Sequence, residues 1–202
     1  MDPRSPTAIS AQLQEDIRLG RLPEGTILHQ EALASRFGVS RQPIRLAIQS
    51  LRATGLVTLR HDRSVEVTEP SREELRDLVA VRLILESEAL RMAFPRRTEK
   101  NVLEAKHLQE RLEIEHDPRQ LEALDNAFHN ALYRTCENAR LLRLVSDLRS
   151  EDRRPYGEQP AGSKKRALWS KQHRRILRHY ATGDSNAALS ALEQHLSVLK
   201  ER

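Results

Sequence analysis

The stretch that decides the fold is FGVSRQPIR, residues 37–45. Gly38 supplies the positive φ angle that a tight turn between two helices needs. Ser40 is a candidate N-cap, because its hydroxyl can accept a hydrogen bond from a free backbone N–H group. The pattern predicts a helix over about 30–37, a turn, and a second helix that ends at Gly55. This arrangement is a helix-turn-helix.

Two short runs of alternating apolar residues, 56–60 and 64–68, follow this motif and flank His61-Asp62-Arg63. Alternation of this length predicts a β-hairpin. A further helix is predicted over 7–20. The first 69 residues are therefore predicted to form a winged helix-turn-helix, which places one helix in the major groove of double-stranded DNA.

The arginines of this segment favour the same target. Arg41 and Arg45 are four residues apart and share a helix face, where an arginine can bind guanine O6 and N7 and Gln42 can bind adenine. Other arginines are expected to contact phosphates, and the wing tip is expected to enter the minor groove. The alternative is that these arginines only solvate a surface helix. The predicted DNA-binding residues are Arg36, Ser40, Arg41, Gln42, Arg45, Arg52, His61 and Arg63.

The rest of the chain shows no strand pattern. Ser71 and Glu74 form a predicted capping box, and Pro, Gly and Asn residues divide the sequence into short-linked helical segments. Six helices are predicted, roughly at 71–94, 98–116, 118–136, 138–153, 163–182 and 184–200. The predicted fold is mainly α: a winged helix-turn-helix over 1–69, then a six-helix antiparallel bundle over 70–202.

Composition narrows the class of protein. The 202 residues have a formal net charge of +5, which favours polyanionic partners only modestly. Cys136 is the single cysteine, so an internal disulfide is excluded. No signal peptide and no apolar run of membrane-spanning length is visible, so we expect a cytoplasmic protein without a membrane partner.

Three of the eight histidines are predicted to face the core of the bundle. His129 lies four residues after Asp125, on a face with Phe128, while His173 and His195 lie on apolar stripes of later helices. His173 is ten residues before Gly183 and His195 is eleven after Asp184, so both lie about 15–17 Å from that turn. Antiparallel helices would bring them to one level.

Asp125, His129, His173 and His195 would together supply three nitrogen ligands and one oxygen ligand. Such a set suits a divalent transition metal such as zinc, nickel or manganese. Each residue alone could be an ordinary hydrogen-bonded core residue, and spacing alone leaves both interpretations open. Four convergent polar groups are nevertheless costly to bury without a common partner.

The sequence resembles the GntR family of bacterial regulators. The resemblance lies in residues 33–45, in Gly55-Leu56-Val57 and in Pro23-Glu24-Gly25. In that family the arginines that match Arg41 and Arg45 contact operator bases or phosphates, and the wing contributes. This chain departs from the family at the wing tip, where Asp62-Arg63-Ser64 stands in place of a frequent glycine.

The second part of the chain resembles the FCD effector domain of the FadR subfamily, in its shorter VanR-like group. The matching features are Phe128-His129 after Asp125, His173 with Arg174, Gly183-Asp184, and His195. The resemblance implies that Asp125 and the three histidines ligate a divalent metal beside a small carboxylate effector.

Arg82 is a candidate ligand for that effector. It lies on a helical stripe with Glu86, and the simpler interpretation is an ion pair between the two at the bundle surface. The alternative is a guanidinium fork for an effector carboxylate, since FCD domains often have an arginine in this helix. The basic residues between 164 and 175 are predicted to be a solvated face.

The sequence thus predicts a homodimeric, DNA-binding transcriptional regulator, most simply a repressor, and not an enzyme. Its expected partners are operator DNA, a small organic acid, a divalent metal and a second copy of the chain. Two alternatives stay open: a metalloenzyme that acts on a small organic acid, and a regulator for which the metal itself is the signal.

Overall fold

The computed structural model describes residues 2–69, 71–151 and 162–198, which are mainly helical. These residues form two compact units, one that ends at Glu69 and one that comprises the described residues from Ser71 onward. The predicted fold class, mainly α with a winged helix-turn-helix at the N-terminal end, is confirmed.

The first unit contains three helices and three short strands among its described residues. Ser5 caps the first helix by accepting a hydrogen bond from the backbone N–H of Ala8, and Pro6 occupies the first helical position. The elements are α1 Pro6–Arg18, β1 Ile27–Leu28, α2 Gln30–Phe37, α3 Arg41–Ala53, β2 Val57–Leu59 and β3 Val65–Val67. Aliphatic side chains from all six elements share one core.

Strand β1 is absent from the sequence-based prediction. Its two residues pair antiparallel with β3, Ile27 opposite Glu66 and Leu28 opposite Val65. The sheet therefore has the order β1-β3-β2. Two residues are too few to show an alternating pattern, so only the pairing with the hairpin defines this strand.

The second unit consists of helices over the residues that the structure describes. They are α4 Arg72–Ala93, α5 Glu99–Ile114, α6 Pro118–Tyr133, α7 Ala139–Glu151, α8 Lys164–Thr182 and α9 Ser185–Ser197. The capping box of Ser71 and Glu74 is present: each side chain accepts a hydrogen bond from the other residue's backbone N–H. The predicted helices agree with the observed ones to within a few residues wherever the chain is described.

The packing of these helices determines where the polar core residues meet. Helix α5 packs against α6 and α8, α4 against α7 and α9, and α8 against α9. Gly183 ends α8 with a φ of +84°, and the Asp184 side chain then caps α9 by accepting from the Ala187 N–H. This tight turn makes α8 and α9 neighbours. No helix within residues 2–69, 71–151 and 162–198 is long and apolar enough to cross a membrane.

Candidate DNA interface and metal centre

Helix α3 presents one face to solvent because the other is anchored in the core. The anchoring residues are Ile44, Ala47, Ile48 and Leu51. The opposite face exposes Arg41, Gln42 and Arg45, and Leu46 is 42% exposed beside them. Sequence reasoning did not single out Leu46, although an apolar side chain at this position can contact a thymine methyl group.

Ser40 stands at the N-cap of α3 with extended backbone angles, φ −72° and ψ 172°, but its side chain accepts no capping hydrogen bond. Ser40 therefore occupies the predicted N-cap position, but the predicted side-chain hydrogen bond is absent. Pro43, at the third position of the helix, removes one of the two N–H groups that an N-cap side chain can accept from, and Gln42 retains the other. The Ser40 side chain is exposed at the start of the helix.

The exposed side chains of α3 make only surface contacts. Arg41 pairs with Glu31 of α2, with 70% and 74% of the two side chains exposed. The guanidinium of Arg45 donates to Oε1 of Gln42 at 2.7 Å. Exposed pairs of this kind contribute about 0–1 kcal/mol, so both arginines can exchange these partners for a ligand.

Arg36 forms an ion pair within the first unit that the sequence did not indicate. It pairs with Asp16 of α1, whose side chain is 1% exposed. Arg21 Nε and Gln12 Nε2 donate to the same carboxylate at 2.8 and 2.9 Å. Burial raises the pKa of Asp16, but the hydrogen bonds from Arg36, Arg21 and Gln12 outweigh it and leave the pKa below its usual value. This ionised carboxylate ties α1 to α2.

The wing tip is a tight turn with one residue in the left-handed region. Arg63 has a φ of +64°, its N–H donates to Arg60 O at 3.0 Å, and the Arg60 N–H donates to Ser64 O at 2.9 Å. This is the position where glycine is ordinarily preferred. Asp62 accepts from the backbone N–H and the hydroxyl of Ser64, at 2.9 and 2.6 Å, which lowers its pKa.

That arrangement gives a structural reason for the aspartate at the wing tip. The Asp62 carboxylate stabilises the turn through Ser64. His61 and Arg63 are exposed on either side of it, and Arg52 is exposed at the end of α3. All the predicted DNA-binding residues other than Arg36, which pairs with the buried Asp16, are thus exposed to solvent without a buried ion-pair partner among the described residues of this unit.

In the second unit, four polar residues from three helices meet in the core. Asp125 and His129 come from α6, His173 from α8 and His195 from α9, and their exposed fractions are 1%, 0%, 0% and 2%. The nitrogen atoms of the three histidines lie within 4.8 Å of one another. His173 Nε2 is 3.3 Å from His195 Nε2.

The Asp125 carboxylate borders the same point. Its Oδ1 is 3.3 Å from His173 Nε2 and 3.8 Å from His129 Nε2. Its Oδ2 accepts from a guanidinium N–H of Arg149 at 2.7 Å. The carboxylate is therefore oriented with one oxygen toward the arginine and the other toward the imidazoles.

Hydrogen bonds on the far side of each ring define which nitrogen has the proton. His173 Nδ1 lies 2.9 Å from Gln109 Oε1, and His195 Nδ1 lies 3.1 Å from Gln172 Oε1. His129 Nδ1 lies 3.3 Å from the Tyr133 oxygen, whose own proton goes to Glu86 Oε2 at 2.9 Å. These oxygens can only accept here, so each Nδ1 donates.

A neutral imidazole that donates through Nδ1 has its lone pair on Nε2. The Nε2 atoms of His173 and His195 then face each other at 3.3 Å as two acceptors. A cation at this point would satisfy both lone pairs together with Oδ1 of Asp125. Three imidazole nitrogens and one carboxylate oxygen, with the tautomers held from outside, fit a first-row divalent ion.

A network of buried charges surrounds this donor set. Glu86 of α4, 0% exposed, accepts from Arg82 Nε at 2.8 Å and from Arg149 at 3.0 Å. Burial raises the pKa of Glu86, but the charges of Arg149 and Arg82 outweigh it and hold the pKa below its usual value. Burial and the neighbouring Glu86 raise the pKa of Tyr133 well above 10, so its hydroxyl remains a donor.

The structure places Arg82 inside the bundle. The predicted ion pair with Glu86 is present, but the predicted surface position is wrong, because Arg82 is 1% exposed. Arg166, predicted within a solvated face, is also buried, and it donates to the backbone carbonyls of Leu112 and Glu115. Its planar side chain lies against Trp169, which explains how a basic residue is accommodated there.

Sequence reasoning missed the residues that support the donor set. Arg149 could have been noticed, since it continues the buried stripe of Leu141 and Val145 on α7. Gln109 and Gln172 gave no comparable signal, because uncharged polar residues on amphipathic helices are common and only the three-dimensional packing aligns them with the histidines.

Comparison with known proteins shows which families the two units resemble. Residues 7–67 match the family "Bacterial regulatory proteins, gntR family", and residues 77–198 match the FCD domain. LutR of Bacillus subtilis, an HTH-type transcriptional regulator, is 30% identical over 92% of this chain and 94% of its own length. The repressor RspR of Escherichia coli is 30% identical over 94% of this chain and 84% of its own.

BphR of Paraburkholderia xenovorans, also an HTH-type transcriptional regulator, is 36% identical over 68% of this chain, and the match spans 60% of that relative's length. Among solved structures, a GntR family member from Pseudomonas syringae is 32% identical, with a TM-score of 0.59 over 97% of this chain and 83% of that one. A putative GntR regulator from Rhodococcus has a TM-score of 0.72 at 24% identity, over 97% of this chain and 95% of that one.

The winged helix-turn-helix and the helical second unit thus define a DNA-binding transcriptional regulator, and not an enzyme. The chain belongs to the GntR family and has an FCD domain.

Proposed function

We propose that this regulator represses transcription in the cytoplasm as a homodimer. We further propose that a small carboxylate effector, bound beside a divalent metal, changes its affinity for the operator. The observation that carries the proposal is the buried convergence of Asp125, His129, His173 and His195. Coupling between two sites requires the ligand to bind the DNA-competent and DNA-incompetent arrangements with different affinity.

The DNA contacts are assigned from exposure and chemistry. Arg41, Gln42 and Arg45 on the open face of α3 read base edges in the major groove. Ser40, at the exposed start of the helix, and Arg52 contact phosphates. At the wing, His61 and Arg63 enter the minor groove. Arg36 contributes positive potential near the phosphates of the DNA, while its ion pair with Asp16 helps to hold α2 in position.

The charges around the donor set support an anionic effector. Arg82 and Arg149 balance Glu86 and Asp125, so the buried cluster is close to neutral when the imidazoles are neutral. A divalent ion adds two positive charges in a low-dielectric site, where uncompensated charge is costly. A carboxylate ligand offsets one of these two charges, a dicarboxylate offsets both, and a carboxylate oxygen can complete the coordination of the metal.

Arg82 is the proposed partner of the effector carboxylate. Its guanidinium is buried and shares Glu86 with Arg149 and Tyr133, which in turn contact Asp125 and His129. Glu86 therefore links Arg82 to Arg149 and Tyr133, the two side chains that contact the donor set. A guanidinium has five N–H groups and can bind a carboxylate with two parallel hydrogen bonds.

The homodimer is supported by an apolar surface on α4. Ile84 is 69% exposed and Val81, one turn before it, is 44% exposed. Leu144, on the neighbouring helix α7, is 46% exposed. A second copy of the chain would cover this surface and would match the two-fold symmetry of a palindromic operator. Light scattering on an Ile84→Asp variant should show a shift toward monomer, and an unchanged dimer would reject this surface.

The test of the proposed function uses an operator selected from random duplexes by the purified protein. Anisotropy titrations compare the metal-free protein, the protein with ZnCl₂, and the protein with ZnCl₂ plus succinate or citrate. An acid effect that requires zinc supports the proposal. A zinc effect with no acid effect identifies a regulator that senses the metal itself. Unchanged operator affinity in all three states would overturn the metal-dependent switch.

His195→Ala serves as the control in the same titrations. The variant should lose zinc-dependent behaviour but retain DNA binding, because His195 belongs to the second unit and the DNA-contacting residues to the first. Full metal occupancy in this variant would remove His195 from the site.

A further inference from the structure

Helix α5 contributes no residue to the proposed donor set, yet one of its side chains contacts that set directly. Gln109 is 3% exposed, and its Oε1 lies 2.9 Å from Nδ1 of His173. A glutamine amide can present either its oxygen or its nitrogen to a neighbour, and the two ends have opposite effects on an imidazole. The orientation of this amide therefore determines which nitrogen of His173 has the proton and which has the lone pair that could bind a metal.

A second contact fixes that orientation. The Nε2 group of Gln109 donates to Glu113 Oε1, one turn further along α5, at 2.8 Å. Glu113 is held in turn by Arg174 of α8, whose Nε donates to the same carboxylate at 2.7 Å. The Arg174 side chain lowers the pKa of Glu113, so Glu113 stays an ionised acceptor at neutral pH. The amide nitrogen of Gln109 must then face Glu113, and its oxygen must face His173.

We propose that Gln109 is a positioning residue that keeps His173 protonated on Nδ1 and so presents the Nε2 lone pair to the metal, with Glu113 and the surface residue Arg174 orienting the Gln109 amide. The inference rests on the proposed metal site and adds to it a chain of contacts from the imidazole to solvent. Arg174 follows His173 directly in the sequence, so α8 supplies both ends of this chain and α5 supplies the middle.

Two further contacts hold the plane of the imidazole while Gln109 sets its tautomer. The ring of Phe128 is stacked on His173 with centroids 4.5 Å apart and an angle of 17° between the planes. The ring of Trp169 contacts His173 in a tilted arrangement, with a centroid distance of 4.9 Å and an angle of 56° between the planes. Trp169 is the single tryptophan of the chain, so its fluorescence reports metal binding at this imidazole without an added label.

The deciding variant is Gln109→Met, which keeps the length of the side chain but removes the amide. Partners of this kind change metal affinity by roughly 10–100-fold when they are removed. The Kd for zinc, measured through Trp169 fluorescence against a competing chelator, should rise by that factor. Gln109→Glu alone would place a second carboxylate against Glu113, so the rescue variant exchanges the two residues. Gln109→Glu with Glu113→Gln keeps an oxygen acceptor for Nδ1 and an amide donor beside it, and should restore the wild-type Kd. Gln120→Met, the same change at an exposed glutamine of α6, is the matched control and should leave the Kd unchanged.

Imidazole ¹⁵N NMR of the metal-free protein provides a readout that a purely structural role would not move. Wild-type His173 should show a protonated Nδ1 and an unprotonated Nε2, and Gln109→Met should show a mixture of the two tautomers. Arg174→Ala should shift the mixture slightly and raise the Kd by about fivefold at most, as expected for an exposed pair. Arg175→Ala, at the next residue, should do neither.

These outcomes separate the inference from the proposed function. If the wild-type protein binds zinc while Gln109→Met has the same Kd and the same His173 tautomer, the role of Gln109 is overturned and the metal site stands. If wild-type protein binds no zinc, the proposed metal site fails, and the NMR comparison still decides whether Gln109 controls the tautomer.

Discussion

Removing Arg149 should destabilise the second unit strongly in the absence of metal and less strongly in its presence. The guanidinium makes buried ion pairs of 2.7 Å with Asp125 and 3.0 Å with Glu86, and it also donates to Asn126 Oδ1 at 3.1 Å. Its side chain is 4% exposed, so water cannot replace these contacts. An Arg149→Met variant keeps much of the apolar volume and leaves two carboxylates without this cation.

Breaking a buried ion pair typically lowers the free energy of unfolding by about 3–5 kcal/mol. In a chain of this size such a loss corresponds to a decrease in Tm of roughly 6–20 °C. Glu86 keeps its pair with Arg82, which favours the lower half of this range. Arg91→Met is the matched control, because Arg91 pairs with Glu88 at the surface with 61% of its side chain exposed, and its loss should cost about 1 kcal/mol or less.

The assay is thermal unfolding followed by circular dichroism, with and without ZnCl₂. A divalent ion at the histidines would compensate the Asp125 charge, so zinc should raise the Tm of Arg149→Met by more than it raises the Tm of the wild type. An Arg149→Met variant as stable as Arg91→Met in the absence of metal would refute the reasoning about the buried charges. If ZnCl₂ raised the Tm of Arg149→Met and of the wild type by the same amount, Arg149 would have no role at the metal site.

Three further predictions concern the DNA-binding unit. Arg63→Gly should raise the free energy of unfolding by about 1 kcal/mol, because glycine adopts a positive φ without strain, while operator affinity measured by anisotropy should fall; unchanged affinity would remove Arg63 from the interface. Arg45→Ala should weaken operator binding by ~1–3 kcal/mol and relax the preference at one base pair, and a uniform loss across all duplexes would indicate a phosphate contact instead. The pKa of Asp16 is lowered in the folded state. The stabilising contribution of the carboxylate is therefore complete above the unfolded pKa of about 3.9 and is lost as pH falls through the folded pKa. The free energy of unfolding in urea should fall less steeply at acid pH for Asp16→Asn than for the wild type, and equal slopes would contradict the role of the buried carboxylate.

The elements with strong periodicity could be predicted from the sequence alone. Helix α3 has both a glycine turn before it and an apolar stripe along it, and its predicted start at Ser40 and end before Gly55 agree with the observed Arg41–Ala53. The turn at Gly183 allowed His173 and His195 to be placed at one level, and their Nε2 atoms lie 3.3 Å apart. Local spacing was sufficient in both cases.

The contacts that support the donor set could not be predicted in the same way. Gln109 lies 64 residues before His173, and Arg149 lies 63 residues after Glu86. Which side chains meet over such separations depends on the rotation of each helix about its own axis. Helical periodicity shows which broad face of a helix is buried, but it does not determine the rotation closely enough to identify individual contacts. The missing capping hydrogen bond at Ser40 is a local difference: the N-cap position was predicted correctly, but Pro43 removes the N–H group at the third helical position that such a hydroxyl can accept from.

X-ray absorption at the zinc edge, on protein loaded with one equivalent of ZnCl₂, shows directly whether the buried histidines bind the metal. We predict imidazole nitrogen ligands at about 2.0–2.1 Å, with carboxylate oxygen completing the shell, and a loss of imidazole scattering in His173→Ala. A sulfur ligand, which only Cys136, Met1 or Met92 could supply, or a zinc shell of water oxygens alone, would contradict it.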